Sequence, residues 1–353
     1  MSAQPSFQTE RAPVALALLG TGQVGAAFAA RVAKLAEARR EPLSLRYVAN
    51  TRGAAQVASG ASADATIATL RTRARTARDA RPPELPPGAI VVDATASAEI
   101  AAAHPRWLAR GHAVVSANKL GLAGPLARFL EIRGARAAAY GDSATVGAGL
   151  PLLRTVRELR AGGDRVHAIA GVLSGSLAWL FDGYDGSESF AARVRRAAAL
   201  GYTEPDPRVD LAGEDVRRKL LILARTAGFA LEPEQVTVDS LVPPALACCE
   251  PEDVGAHLDT LDPAIERRAA TLLGDGRVLR YVARFDADGA RVGLEALRLD
   301  DPLAQGRGCD NRVAISSCRY SERPIVIQGP GAGAEVTAAA LLDDVLRIAR
   351  LHA

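Results

Sequence analysis

The feature that most restricts how this chain can fold is a glycine-spaced loop set between an apolar run and a helix-forming stretch. Pro13–Leu19 reads PVALALL and ends in Gly20-Thr21-Gly22-Gln23-Val24-Gly25, and an Ala-rich stretch, Ala26–Arg39, follows. A buried strand that feeds a helix through such a loop opens a parallel α/β sheet. The glycines permit a tight turn, a close approach of backbone to a pyrophosphate, and close packing of helix on strand. The helix N-terminus adds unpaired N–H groups and a dipole that favours an anion. In a chain with 32 glycines the spacing alone is weak. The strand–loop–helix context makes it a candidate dinucleotide site.

Further strands fit this frame. Leu43–Asn50 alternates, and Ala89–Ala94 and Ala113–Ser116 read as buried strands. The pattern changes after Gly147-Ala-Gly-Leu-Pro151. Leu152–Leu159, Arg193–Leu200 and Asp215–Gly228 are predicted helices, and Val166–Leu173, Val278–Phe285, Arg291–Leu299 and Val313–Cys318 predicted strands, the last three antiparallel. The last strand candidate, Pro324–Gln328, leads through Gly329-Pro-Gly-Ala-Gly333 into a helix, Glu335–Leu351, placed to return to the first domain. The expected fold is α/β: a Rossmann-type dinucleotide domain, 13–150 completed by 324–353, and an α+β domain for catalysis and dimerisation, 151–323.

Length and composition agree with two domains in a soluble, cytoplasmic protein: 353 residues, 48% hydrophobic, 24% charged, net charge +3. Arg71, Arg73, Arg75, Arg78 and Arg81 form the only dense basic run, read as a solvated face rather than a nucleic-acid surface. Met1–Arg11 lacks the apolar core of a signal peptide, and no apolar run is long enough for a membrane span. Cys248, Cys249, Cys309 and Cys318 make no CxxC pair, which argues against a zinc site or disulfide framework. Of 43 basic residues only Lys34, Lys119 and Lys219 are lysine. Lysine can lose its proton when partly buried and arginine effectively cannot, so each is a test case. Lys34, on an Ala- and Arg-rich helix, reads as a surface residue.

Candidate functional groups sit at strand ends and in one rich segment. The second strand ends Asn50-Thr51-Arg52, with no carboxylate for a ribose; Arg52 offers a pair for a 2′-phosphate, which favours NADP over NAD. Thr95, after the next strand, faces the cofactor side, although Thr95 or Ser97 also suits a helix cap. Lys119 follows another strand end. Gly201–Lys219 packs five carboxylates ahead of one lysine. Asp215 and Lys219 share a helix face at i,i+4, and a partly buried lysine beside a carboxylate can serve as acid or base. Glu204 and Asp210, on the preceding loop, are placed to accept an ammonium-bearing substrate. His104, His112, His167, His257 and His352 never cluster, which disfavours a zinc alcohol dehydrogenase or a triad hydrolase.

With these residues in place the chain resembles the homoserine dehydrogenase family from about Val14 to its end. The resemblance is carried by GTGQVG (20–25), SANKLG (116–121), ATVGAGLP (144–151), GVLSGS (171–176), GYTEPDPRVDLAGEDVRRKLLILAR (201–225) and GPGAGAEVTAAALLDDVLRIA (329–349). It implies NAD(P)-dependent interconversion of L-homoserine and L-aspartate 4-semialdehyde, on the route to threonine, methionine and isoleucine. By motif, Thr21, Gln23, Val24, Thr95, Lys119, Gly201 and Gly333 are expected at the cofactor, beside Gly20, Gly22 and Gly25 of the loop and Arg52 at the strand end. Glu204, Asp210 and Asp215 are expected at the substrate, with Lys219, Lys119 and Asp215 catalytic and Lys219 the proton donor. The family's sodium site implies backbone ligands at Val146, Ala148 and Leu150, but the usual carboxylate position holds Ser143, with Asp142 beside it. The chain looks like a short monofunctional form without a kinase part or an ACT domain, acting as a homodimer. Two other readings stay open: a non-catalytic NADP-binding sensor, and another Rossmann semialdehyde dehydrogenase.

Overall fold

The computed structural model describes residues 13–38, 43–58, 63–72, 85–134, 137–272 and 276–351. Along the chain run β1 (Val14–Leu19), α1 (Gln23–Glu37), β2 (Leu43–Asn50), β3 (Gly53–Gln56), α2 (Ala63–Thr72), β4 (Ile90–Asp93), α3 (Ala98–Ala109), β5 (Ala113–Ser116), α4 (Leu120–Ala123), α5 (Leu126–Gly134), β6 (Tyr140–Gly141) and α6 (Leu152–Ala161). There follow β7 (Val166–Val172), α7 (Gly175–Phe181), α8 (Phe190–Ala199), α9 (Arg208–Leu211), α10 (Glu214–Ala227), β8 (Val236–Val238), α11 (Pro244–Ala247), α12 (Val254–His257) and α13 (Asp262–Leu272). Strands β9 (Arg277–Asp286), β10 (Gly289–Arg298), β11 (Asp310–Ser317) and β12 (Ile325–Pro330) precede the last helix, α14 (Ala334–Leu351).

The chain divides into two compact units. The first comprises residues 1–118, 132–141 and 337–353, and the second 119–131 and 142–336. The first holds a sheet of order β3-β2-β1-β4-β5-β6, parallel except for the antiparallel edge strand β3. Its central strands are apolar on both faces: Leu16 to Leu19, Ile90 to Val92 and Val114 to Val115 are all buried, as parallel strands covered on both sides require. Strand order reverses between β1 and β4, the place where open α/β sheets bind ligands.

The second unit holds a mixed sheet of order β12-β11-β7-β9-β10-β8, antiparallel except for the β10–β8 pair. Here the expected domain boundary has to be moved. Strand 325–330 pairs antiparallel with β11, Val313 opposite Ile327, so it belongs to the second sheet. Only the chain from Thr337 onward completes the first unit. There Gly141 lies against Asp344, and Arg347 donates to the Ala138 and Tyr140 carbonyls. Residues 142–150, expected in the first domain, also lie in the second unit.

Among the described residues no helix is long and apolar enough to cross a membrane. The four cysteines are free thiols. Of the basic run, Arg73 to Arg81 lie outside the described residues.

Candidate functional site

In the first unit the three loop glycines have different physical reasons. Gly20 has φ +94°, and a Cβ there would meet the Ala94 carbonyl oxygen at 2.6 Å. A Cβ on Gly25 would lie 1.9 Å from the Gly20 oxygen, so this residue lets α1 close on the loop. Above Gly22 there is open space within 4 Å, room for a group to approach the backbone. Gly22 is the N-cap of α1 and supplies no side-chain cap, so the first-turn N–H groups face outward unmasked. The loop is tied to the sheet by Gly20 N–H to Ala49 O and Ala94 N–H to Leu19 O, each 2.8 Å.

The groups around this loop are partly those expected. Thr21 is buried, and its hydroxyl accepts from Asn50 Nδ2 at 2.8 Å. Arg52 stands at the exposed end of β2, its backbone N–H donating to Asn50 Oδ1. Thr95 is not the helix cap: Ser97 caps α3 by accepting from Ile100 N–H. Arg71, in sequence one member of a basic run read as a solvated face, belongs to this group. On α2, its Nε donates to the Thr21 carbonyl at 2.9 Å, which brings a guanidinium to the glycine loop. Spacing along the chain gives no sign of this, because the contact joins positions 50 residues apart.

The second unit holds Lys119, Gly201, Gly333 and every expected substrate and proton-transfer residue. Helix α10 carries Asp215 and Lys219 on one face. Val216 and Leu220 to Leu223 are buried along it, and they hold that face in register. Lys219 Nζ lies 2.8 Å from Asp215 Oδ2 and donates to the Leu173 carbonyl at 2.7 Å. Lys119 Nζ lies 3.2 Å from Asp215 Oδ1. One carboxylate therefore bridges two ammonium groups, with a side-chain exposure of 10% for Lys219 against 27% for Lys119. Burial is the largest influence on Lys219 and pushes its pKa down; Asp215 supports the charge and Lys119 opposes it. For Asp215 burial acts upward, but the Lys219 and Lys119 charges together overcome it and hold the carboxyl well below its ordinary range.

The other carboxylates of the segment separate by partner. Asp206 is bound to Arg208, and Glu214 to Arg217. Asp210 accepts the Ser176 hydroxyl at 2.7 Å and the Glu204 backbone N–H at 2.8 Å, so it fastens the Glu204 loop to the start of α7. The Glu204 side chain is exposed. Gly201 (φ +73°) ends the turn after α8, and Gly333 (φ +128°) immediately precedes α14.

Gly213 starts the helix that carries the pair. Its φ is +76°, and a Cβ there would lie 2.1 Å from the Tyr281 hydroxyl. Gly213→Ala is expected to cost about 1–2 kcal/mol from the left-handed backbone alone, and more as Tyr281 is displaced. Thermal unfolding measures this; an unchanged midpoint would show that the helix start can be rebuilt without a left-handed residue.

A family model described as the homoserine dehydrogenase NAD-binding domain matches residues 20–144, and one described as homoserine dehydrogenase matches residues 151–346. The chain is 47% identical over 271 residues to bifunctional aspartokinase/homoserine dehydrogenase 2 of Escherichia coli, covering 74% of this chain and 33% of that protein. It thus spans about a third of that bifunctional relative. It is 34% identical over 366 residues to the homoserine dehydrogenase of Paracoccidioides brasiliensis, covering 96% of this chain and 98% of the other. A hyperthermophilic archaeal homoserine dehydrogenase solved with NADPH shares the fold at a TM-score of 0.73 and 20% identity, over 96% of this chain and 98% of that one. Glycine loop, lysine–carboxylate cluster and these matches together place the chain in the homoserine dehydrogenase family.

Proposed function

We propose that this protein interconverts L-homoserine and L-aspartate 4-semialdehyde with NADP as preferred cofactor and NAD as the lesser one, in the biosynthesis of threonine, methionine and isoleucine. The observation that carries the reading is Asp215 set between Lys119 and Lys219. When bound, the nicotinamide supplies or accepts the hydride. The chain's own residues do the rest. Of the three donors on the Lys219 ammonium, one goes to Leu173 O and one to Asp215; the third is left for the substrate oxygen. A lysine whose pKa is pulled down gives and regains a proton more readily near neutral pH than an ordinary one. Lys119 adds a second positive charge beside the forming alkoxide. Glu204 receives the substrate ammonium, and Asp210 holds its loop in place with lone pairs to spare.

The cradle fits a dinucleotide: open space over Gly22, uncapped first-turn N–H groups, and arginines at the strand end and on α2. Val24, Gln23 and Thr21 line the start of α1, and Gly201, Gly333, Thr95 and Lys119 complete the cofactor set of this reading. A monovalent cation fits less well. The Asp142 carboxylate is paired with Arg157 at 2.8 Å, and the Leu150 carbonyl already accepts from Leu152 N–H. That leaves the Val146 and Ala148 carbonyls. Cys309 is poorly suited to be the nucleophile of a phosphorylating semialdehyde dehydrogenase, since burial pushes its thiol up. The reading implies a homodimer formed by the second unit, in the cytoplasm.

Loss of NADPH absorbance on adding aspartate semialdehyde tests the activity, and no oxidation under any salt or cofactor condition would favour the sensor. Arginine variants test the cofactor. Arg52→Ala is expected to lower kcat/KM with NADPH about 10-fold or more, as for a lost charge-assisted contact, and to leave NADH nearly unchanged. Arg71→Ala loosens the loop that both cofactors share and should lower both. An unchanged NADPH/NADH ratio in Arg52→Ala would remove Arg52 from cofactor selection.

A further inference from the structure

Behind the glycine loop, within the first unit, three buried polar side chains form a chain that the reaction does not explain. Asp93 ends β4, His104 lies on α3 and Tyr140 begins β6. Asp93 and His104 are fully buried and Tyr140 is 2% exposed. The His104 Nε2–H donates to Asp93 Oδ2 at 3.0 Å, and Nδ1 meets the Tyr140 hydroxyl at 2.9 Å. The second Asp93 oxygen, Oδ1, accepts both the Thr95 backbone N–H at 2.9 Å and the Thr95 hydroxyl at 2.7 Å.

Polar groups in a core are tolerated only when paired, and apolar side chains of like volume would fill the same space at less desolvation cost. This chain is fully paired, and it ends at a surface that matters. The Thr95 hydroxyl donates to Asp93 and accepts from Ser97 N–H at 3.2 Å and Asn118 Nδ2 at 3.4 Å. With its oxygen held inward, Thr95 turns its methyl towards Gly20. A Cβ on Gly20 would sit 3.1 Å from that methyl carbon. The Thr95 rotamer, and through it the floor under Gly20, follow from how Asp93 is held. Asp93 is held by His104, and His104 by Tyr140.

We propose that Asp93, His104 and Tyr140 are positioning residues for dinucleotide binding: their buried chain locks Thr95 against Gly20 and keeps the glycine loop in its cofactor-accepting geometry. This rests on the reading of that loop as the nucleotide site. The residues touch no reacting atom, and their effect reaches the cofactor only through Thr95 and Gly20.

Two variants that each remove one polar handle and keep the side chain's shape test it: Tyr140→Phe and Thr95→Val. NADPH binding to the purified full chain is measured by calorimetry, alongside KM for each substrate. Each variant is expected to weaken NADPH binding about 3- to 10-fold, the usual effect of one lost buried hydrogen bond. The double variant should bind about as weakly as the worse single one, because both cuts break the same chain. KM for NADPH should rise, and KM for aspartate semialdehyde should not follow it. Binding within twofold of wild type in both single variants overturns the proposal, even if their unfolding temperatures fall. Fully additive losses overturn the coupling between Tyr140 and Thr95. A wild-type protein that binds no NADPH overturns the cofactor reading itself, a different result from either.

Discussion

Lys219→Arg is expected to cut kcat by about 10²–10⁴-fold, the range for loss of a general acid, in a chain that still folds. Arginine keeps the positive charge and can keep the contact to Asp215. It does not lose its proton at any pH the protein survives. Lys219 is suited to proton transfer because its ammonium is taken out of water, which lowers its pKa, while Asp215 at 2.8 Å keeps it from collapsing to the neutral form. A guanidinium in that place is a fixed charge. Single-turnover hydride transfer with NADPH and aspartate semialdehyde reads the chemical step, and near-ultraviolet circular dichroism confirms the fold. Near-wild-type turnover would take Lys219 out of the proton-transfer role.

Asp215→Asn is expected to be the second most damaging change. It leaves the ammonium groups of Lys119 and Lys219 around a neutral amide. The largest influence supporting the Lys219 charge is gone and only the lesser one of Asp210 remains, while burial and Lys119 still push its pKa down. In the reducing direction Lys219 must be protonated, so the alkaline limb of the rate profile should move to lower pH. The rate at neutral pH should fall, by up to about 10²-fold if the amide also misplaces the ammonium. An alkaline limb that stays put would show that Asp215 does not support this charge. The effect on stability is smaller, because the Asp215 side chain keeps 44% of its accessible surface and water screens the pair. Its sign is fixed nonetheless. The depressed Asp215 carboxyl stabilises the fold above the ordinary carboxylate pKa, and that contribution fades as pH falls through the lower folded value. The depressed Lys219 makes stability rise with pH between its folded value and 10.5.

What was legible in the sequence depended on whether a signal was local. The strand–glycine–helix opening, strand β5 and the i,i+4 pair of Asp215 with Lys219 are each written within a few residues, and each stands where the periodicity placed it. The lysine count drew attention to Lys119 and Lys219, which meet at the Asp215 carboxylate. The contacts of Arg71 and His104 and the sheet to which β12 belongs were not legible, for a shared reason. Arg71 sits in a run of arginines and meets Thr21 only through the fold. His104 has partners on β4 and β6, 11 and 36 residues away. Strand β12 reads the same whether it joins one sheet or the other; its pairing with β11 decides. The role of Asp210 as a clip on the Glu204 loop likewise needed Ser176, 34 residues away.

The first unit is stitched from three stretches of chain, and the last of them is α14. Ala338, Leu341, Val345 and Ile348 of that helix are buried. On the ribosome the nucleotide unit is therefore begun before the second unit and completed after it. Helix α14, which meets β6 through Asp344 and Arg347, is made only after almost the whole second unit. A fragment that stops short of residue 337, however generously it spans the sheet, lacks the apolar positions that α14 buries and should be sticky rather than a usable nucleotide-binding module.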